Sequence, residues 1–244
     1  MTRPAVPVGL ALMTVLLEIG YPLTSGHHRD VLTVLTVVAF FLASASHAAI
    51  HRGLGWAAGL VLLTAGMGLL AEAVGTATGW PFGHYTYANT LGHKAFGVPL
   101  VIPLAWSMMA YPALLLGRRL SGSRVTAALL GGWTLASWDL FLDPQMVAAG
   151  HWRWSRVRHA LPGAPHVPVS NYLGWLAVAV VLLGLLQLLP RRAADDRAPA
   201  GLLLWTYASS VLGNAAFFGR PLTAMLGGVG MGVVVLPYAA ALRR

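Results

Sequence analysis

Runs of about twenty consecutive apolar residues recur along this chain, and no other feature restricts its fold as much. A helix of that length crosses the hydrocarbon core of a bilayer, and in lipid only helices and closed barrels satisfy their own backbone. The runs cover roughly residues 6–23, 31–50, 54–74, 98–117, 124–142, 172–189, 200–218 and 221–241. The expected fold is an all-α, polytopic transmembrane bundle of seven to eight spans, the last two joined only by Gly219-Arg220-Pro221. Residues 1–244 read as a single integral membrane domain, because Pro190–Pro199 is a short polar loop and no soluble domain fits between the spans. The first run contains Glu18 and lacks a small-residue cleavage pattern, so it is expected to belong to the bundle and not to a cleaved signal.

Only 9% of the residues are charged, against about a quarter in a soluble domain. The absence of cysteine removes disulfides, thiolate nucleophiles and iron–sulfur ligation. A formal charge of +9 would suit nucleic acid if it formed a stripe, but the arginines are scattered through short loops. That pattern fits orientation in the bilayer and contact with anionic lipid, and no nucleic-acid partner. With the N-terminus cytoplasmic, Arg3, Arg52, Arg118, Arg119, Arg124, Arg191, Arg192, Arg197, Arg243 and Arg244 fall on the inner side. Six basic residues, Arg29, Lys94, Arg153, Arg156, Arg158 and Arg220, fall on the other. The asymmetry places both termini in the cytoplasm of a bacterial-type membrane.

Four of the seven acidic residues, Glu18, Glu72, Asp139 and Asp143, lie inside or at the rim of apolar runs. A carboxylate in hydrocarbon is expensive, and such groups mark functional pathways or cavities. All four fall in the half of their helix nearest one face, the face from which loops 75–97 and 143–171 emerge, so they can form one site. Asp139 and Asp143 stack on one side of a helix if it continues through Leu142. Two carboxylates a turn apart in a poorly hydrated place do not both ionise easily, and a shared proton suits general acid–base work. The competing structural reading has Asp143 turning the chain before Pro144 and Asp139 bonded to a neighbouring helix. Glu72 is a catalytic candidate or a water-contacting interface residue, and Glu18 a supporting partner or a buried acid bonded to a hydroxyl.

Loop 78–87 turns sharply at Gly79, Pro81 and Gly83, and Tyr85-x-Tyr87 presents both rings on one side if extended. Trp138, Trp152 and Trp154 arrive from the other loop and its helix. Singly these rings fit an interfacial belt; gathered around the acids, they form a pocket that shelters a cation or holds an apolar chain. His47-x-x-x-His51 has ligand spacing but sits at the opposite end of the membrane, and the other seven histidines follow no ligand pattern, so no metal is expected. No phosphate-binding, dinucleotide or serine-nucleophile motif is present.

The residues then resemble a known family. Glu72-x-x-Gly75-x-x-Thr78-Gly79-x-Pro81-Phe82-Gly83-x-Tyr85-x-Tyr87 is similar to a signature of the CruF-type membrane carotenoid biosynthesis proteins. So are Pro103-x-x-Trp106-x-Met108-Met109-x-Tyr111-Pro112, Trp138-Asp139-x-x-Leu142-Asp143-Pro144-x-Met146, Gly150-x-Trp152-x-Trp154 and Pro168-x-x-Asn171-x-x-Gly174-Trp175. The chain departs from the pattern at His166-Val167-Pro168, where a Gly-Val-Pro-like turn is expected, and in the irregular segment Ser155–Pro165. The resemblance implies a carotenoid hydratase that adds water across the terminal, non-conjugated double bond of an acyclic end group, leaving a tertiary alcohol. Members act on forty-carbon carotenes or on fifty-carbon precursors, and the chemistry requires no redox cofactor. Asp139 or Asp143 is then the expected proton donor, with its neighbour or Glu72 positioning water. Tyr85, Tyr87, Trp138, Trp152 and Trp154 line the end-group pocket, and Asn171 binds the water or the new hydroxyl. The expected partners are a hydrophobic carotenoid and membrane lipid, with other carotenoid enzymes as candidates. A carotenoid cyclase or another isoprenoid-modifying enzyme shares the protonation step. A proton-coupled transporter would instead place acids at the midplane of paired broken helices.

Overall fold

A computed structural model describes residues 5–243; Arg3 and Arg244, two of the charges counted above, lie outside them. Eight α-helices account for most of these residues: α1 (Ala5–Gly20), α2 (Gly26–Arg52), α3 (Leu54–Thr78), α4 (Val101–Leu120), α5 (Arg124–Ala148), α6 (Val169–Leu186), α7 (Arg197–Leu212) and α8 (Pro221–Leu242). Seven candidate spans are long and apolar enough to cross a membrane, α1 together with the 3₁₀ turn Tyr21–Leu23 among them. The eighth helix, α7, is 16 residues long and begins at Arg197. It is prolonged by a π turn, Gly213–Phe217, before Gly219 reverses the chain into α8. The molecule is an integral membrane protein.

Helix α4 is the axis of the bundle: every residue from Trp106 to Gly117 is buried. A helix apolar on all sides can be solvated only by other helices. Its closest neighbour is α5, and a Cβ on Gly117 would lie 2.1 Å from the Ala127 carbonyl oxygen, so the two backbones meet where no side chain intervenes. Most large apolar side chains that remain exposed, such as Leu12, Leu62, Leu70, Val229 and Val233, belong to the helices around this axis and face outward.

The two ends of the bundle are built differently. At one end the loops between α3 and α4 and between α5 and α6 pair through short strands. Strand β1 (Tyr85–Tyr87) runs antiparallel to β4 (Trp152–Trp154), with Tyr85 opposite Trp154 and Tyr87 opposite Trp152. Two further ribbons, β2–β3 (Lys94–Ala95 with Val98–Pro99) and β5–β6 (Ala160–Leu161 with Ala164–Pro168), brace the same end. At the other end arginines close the helix termini. Arg118 donates to the carbonyls of Leu186 and Leu189, Arg119 to that of Ala241, and Arg192 to that of Arg52. Orphan carbonyls at a helix C-terminus are satisfied in this way, and the charge suits the helix dipole.

Candidate active site

Helix α5 does not stop at Pro144 but continues to Ala148, so Asp139 and Asp143 lie one turn apart on the same side. Both are buried. Asn171, in the first turn of α6, faces them and donates one amide hydrogen to Asp139 Oδ2 at 2.8 Å and the other to Asp143 Oδ2. Only the nitrogen of an asparagine amide donates, and carboxylates only accept, so the bridge sets the amide's orientation. The second oxygen of Asp143 accepts from the Trp152 indole at 2.9 Å. The second oxygen of Asp139 is buried without a protein partner. Two carboxyl groups thus share one amide, and the outer of them is held in addition by the β4 strand.

Glu72, near the end of α3, forms the third acid. Its Oε2 accepts from the hydroxyls of Tyr85 at 2.5 Å and Tyr87 at 2.7 Å, and its Oε1 accepts from the Trp106 indole at 3.1 Å. The β1 strand explains the paired tyrosines: residues two apart in an extended chain point the same way, here onto one carboxylate. Burial, then the charge of Glu72, pushes both phenols far above their ordinary range, so they remain donors. A Cβ on Gly75 would sit 2.8 Å from both Phe82 and the Tyr85 hydroxyl, which is why the ribbon can lie so close to α3. None of the ion pairs among the described residues involves Glu72, Asp139 or Asp143.

Between these acids and helices α1, α2 and α7 lies an apolar cavity of about 380 Å³. Glu72, Asp143 and Asn171 line it, and so do Tyr85, Tyr87, Trp138, Trp152 and Trp154; Asp139 stands behind Asp143. Eight of the nine residues singled out from the sequence therefore reach one cavity, with the ninth directly beneath it. Trp106 and Trp175, not singled out as site residues, stack at 4.1 Å and 8°, and Trp138 meets Trp175 edge-on at 6.4 Å. Both lay in the family-like blocks, and the recurrence of tryptophan beside small residues was the signal available for them. Glu18 lines the opposite wall, where its carboxylate accepts from the Ser209 hydroxyl of α7 at 3.2 Å.

Fold and cavity define the class: an integral membrane protein whose acids, without ion-pair partners, face an aromatic, apolar chamber. The chain belongs to the carotenoid biosynthesis protein family, whose model matches residues 30–235. It is also similar to a bisanhydrobacterioruberin hydratase of Haloarcula japonica, at 40% identity over 121 residues. That match covers 46% of this chain and 39% of the relative. No solved structure matches the chain significantly.

Proposed function

We propose that the protein is a carotenoid hydratase, adding water across the terminal double bond of an acyclic end group to leave a tertiary alcohol. The observation that carries this reading is the Asn171-bridged carboxyl pair opening, through Asp143, into an aromatic cavity that contains no cationic partner for it. The name of the Haloarcula japonica relative supports the same chemistry.

The steps follow from the arrangement. Two adjacent carboxylates beside Glu72 would be three negative charges in a low-dielectric site, so the Asp139–Asp143 pair holds one proton between its members. Asp143, the member exposed to the cavity, gives that proton to the less substituted carbon of the alkene. A tertiary carbocation forms on the other carbon. The aromatic rings that line the cavity and the fixed charge of Glu72 stabilise it in place, without rearrangement at the moment of reaction. Water adds to the cation and returns its proton to the carboxyl pair, which restores the starting state. Atoms and charge balance, and no electron leaves the substrate. Asn171 keeps the two carboxyl groups in register, and the Tyr85 and Tyr87 hydroxyls, with the Trp106 indole, keep Glu72 in its anionic role. Arg52 and the arginine-capped end take the cytoplasmic side by the charge asymmetry, which turns the cavity toward the opposite leaflet.

Expression in a bacterial host that makes lycopene tests the reading. The wild type is expected to yield a more polar pigment, heavier by one water, with an unchanged visible spectrum. A pigment of unchanged mass and blue-shifted spectrum would show cyclisation instead and overturn the proposal.

A further inference from the structure

The cavity is confined to the ribbon end of the bundle. Its lining runs from Thr33 to Phe40 on α2, from Val101 to Met108 on α4 and from Trp138 to Met146 on α5, about 10–12 Å of helix rise on each. An extended carotenoid of forty carbons or more is far longer than that, so most of its chain must remain outside while one end reacts. Three residues show where. Ile19, Leu212 and Phe217 line the cavity and are also 49%, 59% and 56% exposed on the outer surface of the bundle. They lie where α1 ends and where α7 passes into the π turn Gly213–Phe217. This stretch is apolar and faces the lipid. Just inside it the Glu18–Ser209 hydrogen bond joins α1 to α7, and beside it Tyr21 meets Phe218 edge-on at 5.9 Å. Local π-helical turns bend a helix away from regular packing and recur at functional sites.

We infer that the gap between α1 and the π turn of α7 is a lateral portal, through which an acyclic polyene dissolved in the bilayer inserts one end while its remaining chain stays in lipid. The inference rests on the hydratase reading for its occupant. It assigns a specificity as well: the protein measures the end group and is indifferent to chain length. Substrates sharing one end group but differing by ten carbons are therefore expected to have kcat/KM values within about threefold of each other.

The natural chain has no cysteine, so single thiols can be placed cleanly. Ile19→Cys and Phe217→Cys, in lipid nanodiscs, would be labelled with a polyethylene-glycol maleimide and compared with the same unlabelled variant. Two readouts are needed: hydration of an acyclic carotene, and quenching of tryptophan fluorescence by the bound polyene. Labelling is expected to lower both by on the order of tenfold, one decade in affinity. The same label on Leu54→Cys, exposed at the other end of α3, is expected to leave both unchanged. Unaltered quenching and turnover after labelling at Ile19 and Phe217, or an equal loss at Leu54, would overturn the portal. Quenching without hydration by the unlabelled protein would overturn the hydratase reading while the labels still judge the portal. Neither quenching nor hydration would overturn both.

Discussion

Both ends of the bundle bury charge, and they treat it in opposite ways. At the capped end Arg52, 3% exposed, forms a two-pronged ion pair with Asp196 at 2.7 and 2.8 Å. Its other terminal nitrogen donates to Tyr111, which also bonds His47, while the guanidinium lies over the rings of Trp56 and Tyr111. Arg52 there meets an opposite charge, Arg118, Arg119 and Arg192 meet helix-end carbonyls, and Arg52, Tyr111 and His47 are all buried. At the ribbon end three carboxyl groups gather with only neutral donors around them, and they open into a cavity. A buried ion pair is a structural device whose breakage is costly; unpaired acids beside an apolar chamber destabilise the fold and have value only if they do chemistry. The difference separates the end that holds the bundle together from the end proposed to act.

Substitutions can break this contrast. The largest effect on turnover is expected from Asp143→Asn, which removes the cavity-facing proton donor: hydration should fall by about a thousandfold or more while the protein still folds and binds polyene. Arg52→Met should do the reverse. Loss of the Arg52 hydrogen bonds to Tyr111 and to half-buried Asp196 is expected to cost roughly 1–3 kcal/mol of stability, read as thermal unfolding in detergent, with kcat of the surviving protein unchanged. Asn171→Leu removes the bridge at nearly constant volume and should lower kcat by about a hundredfold, the cost of misplacing a reacting group by an ångström, with little change in KM. The smallest effect concerns pH. His151 is buried beside the ribbon and bonds Thr90 at 2.7 Å; burial lowers its pKa below the usual 6.5. The unfolded chain therefore takes up a proton first as pH falls below about 6.5, so stability holds above that value and declines below it. Hydrogen exchange of residues 87–91 and 150–153 as a function of pH checks this, and His151→Gln should flatten the dependence.

The sequence disclosed these regions unequally. The spans were readable because a lipid-facing helix leaves a run of apolar residues that needs no knowledge of its neighbours. Helix periodicity put Asp139 beside Asp143, and strand periodicity put Tyr85 and Tyr87 on one side. What could not be read were contacts between segments far apart in the chain. Nothing local pairs Tyr85 with Trp154, brings Trp106 beneath Glu72 from a different helix, or directs the Asn171 amide to two carboxyl groups some thirty residues earlier. The capped end was equally hidden: Arg52 and Asp196 are 144 positions apart, and a loop of mixed charge at 190–199 gave no sign that one of its acids would be paired with a buried arginine. Glu18 shows the limit in a single residue, since its acid was evident but its partner, Ser209 on α7, was not.

The central claim is that the Asn171-bridged carboxyl pair protonates an alkene and water captures the cation. The most direct test is turnover of lycopene by the purified protein in nanodiscs prepared in D₂O, with the product's mass and deuterium position determined. The account predicts one non-exchangeable deuterium on the carbon next to a new tertiary alcohol, and no product from the Asp139→Asn, Asp143→Asn double variant. A hydrated product without that deuterium, or one formed equally well by the double variant, would contradict it.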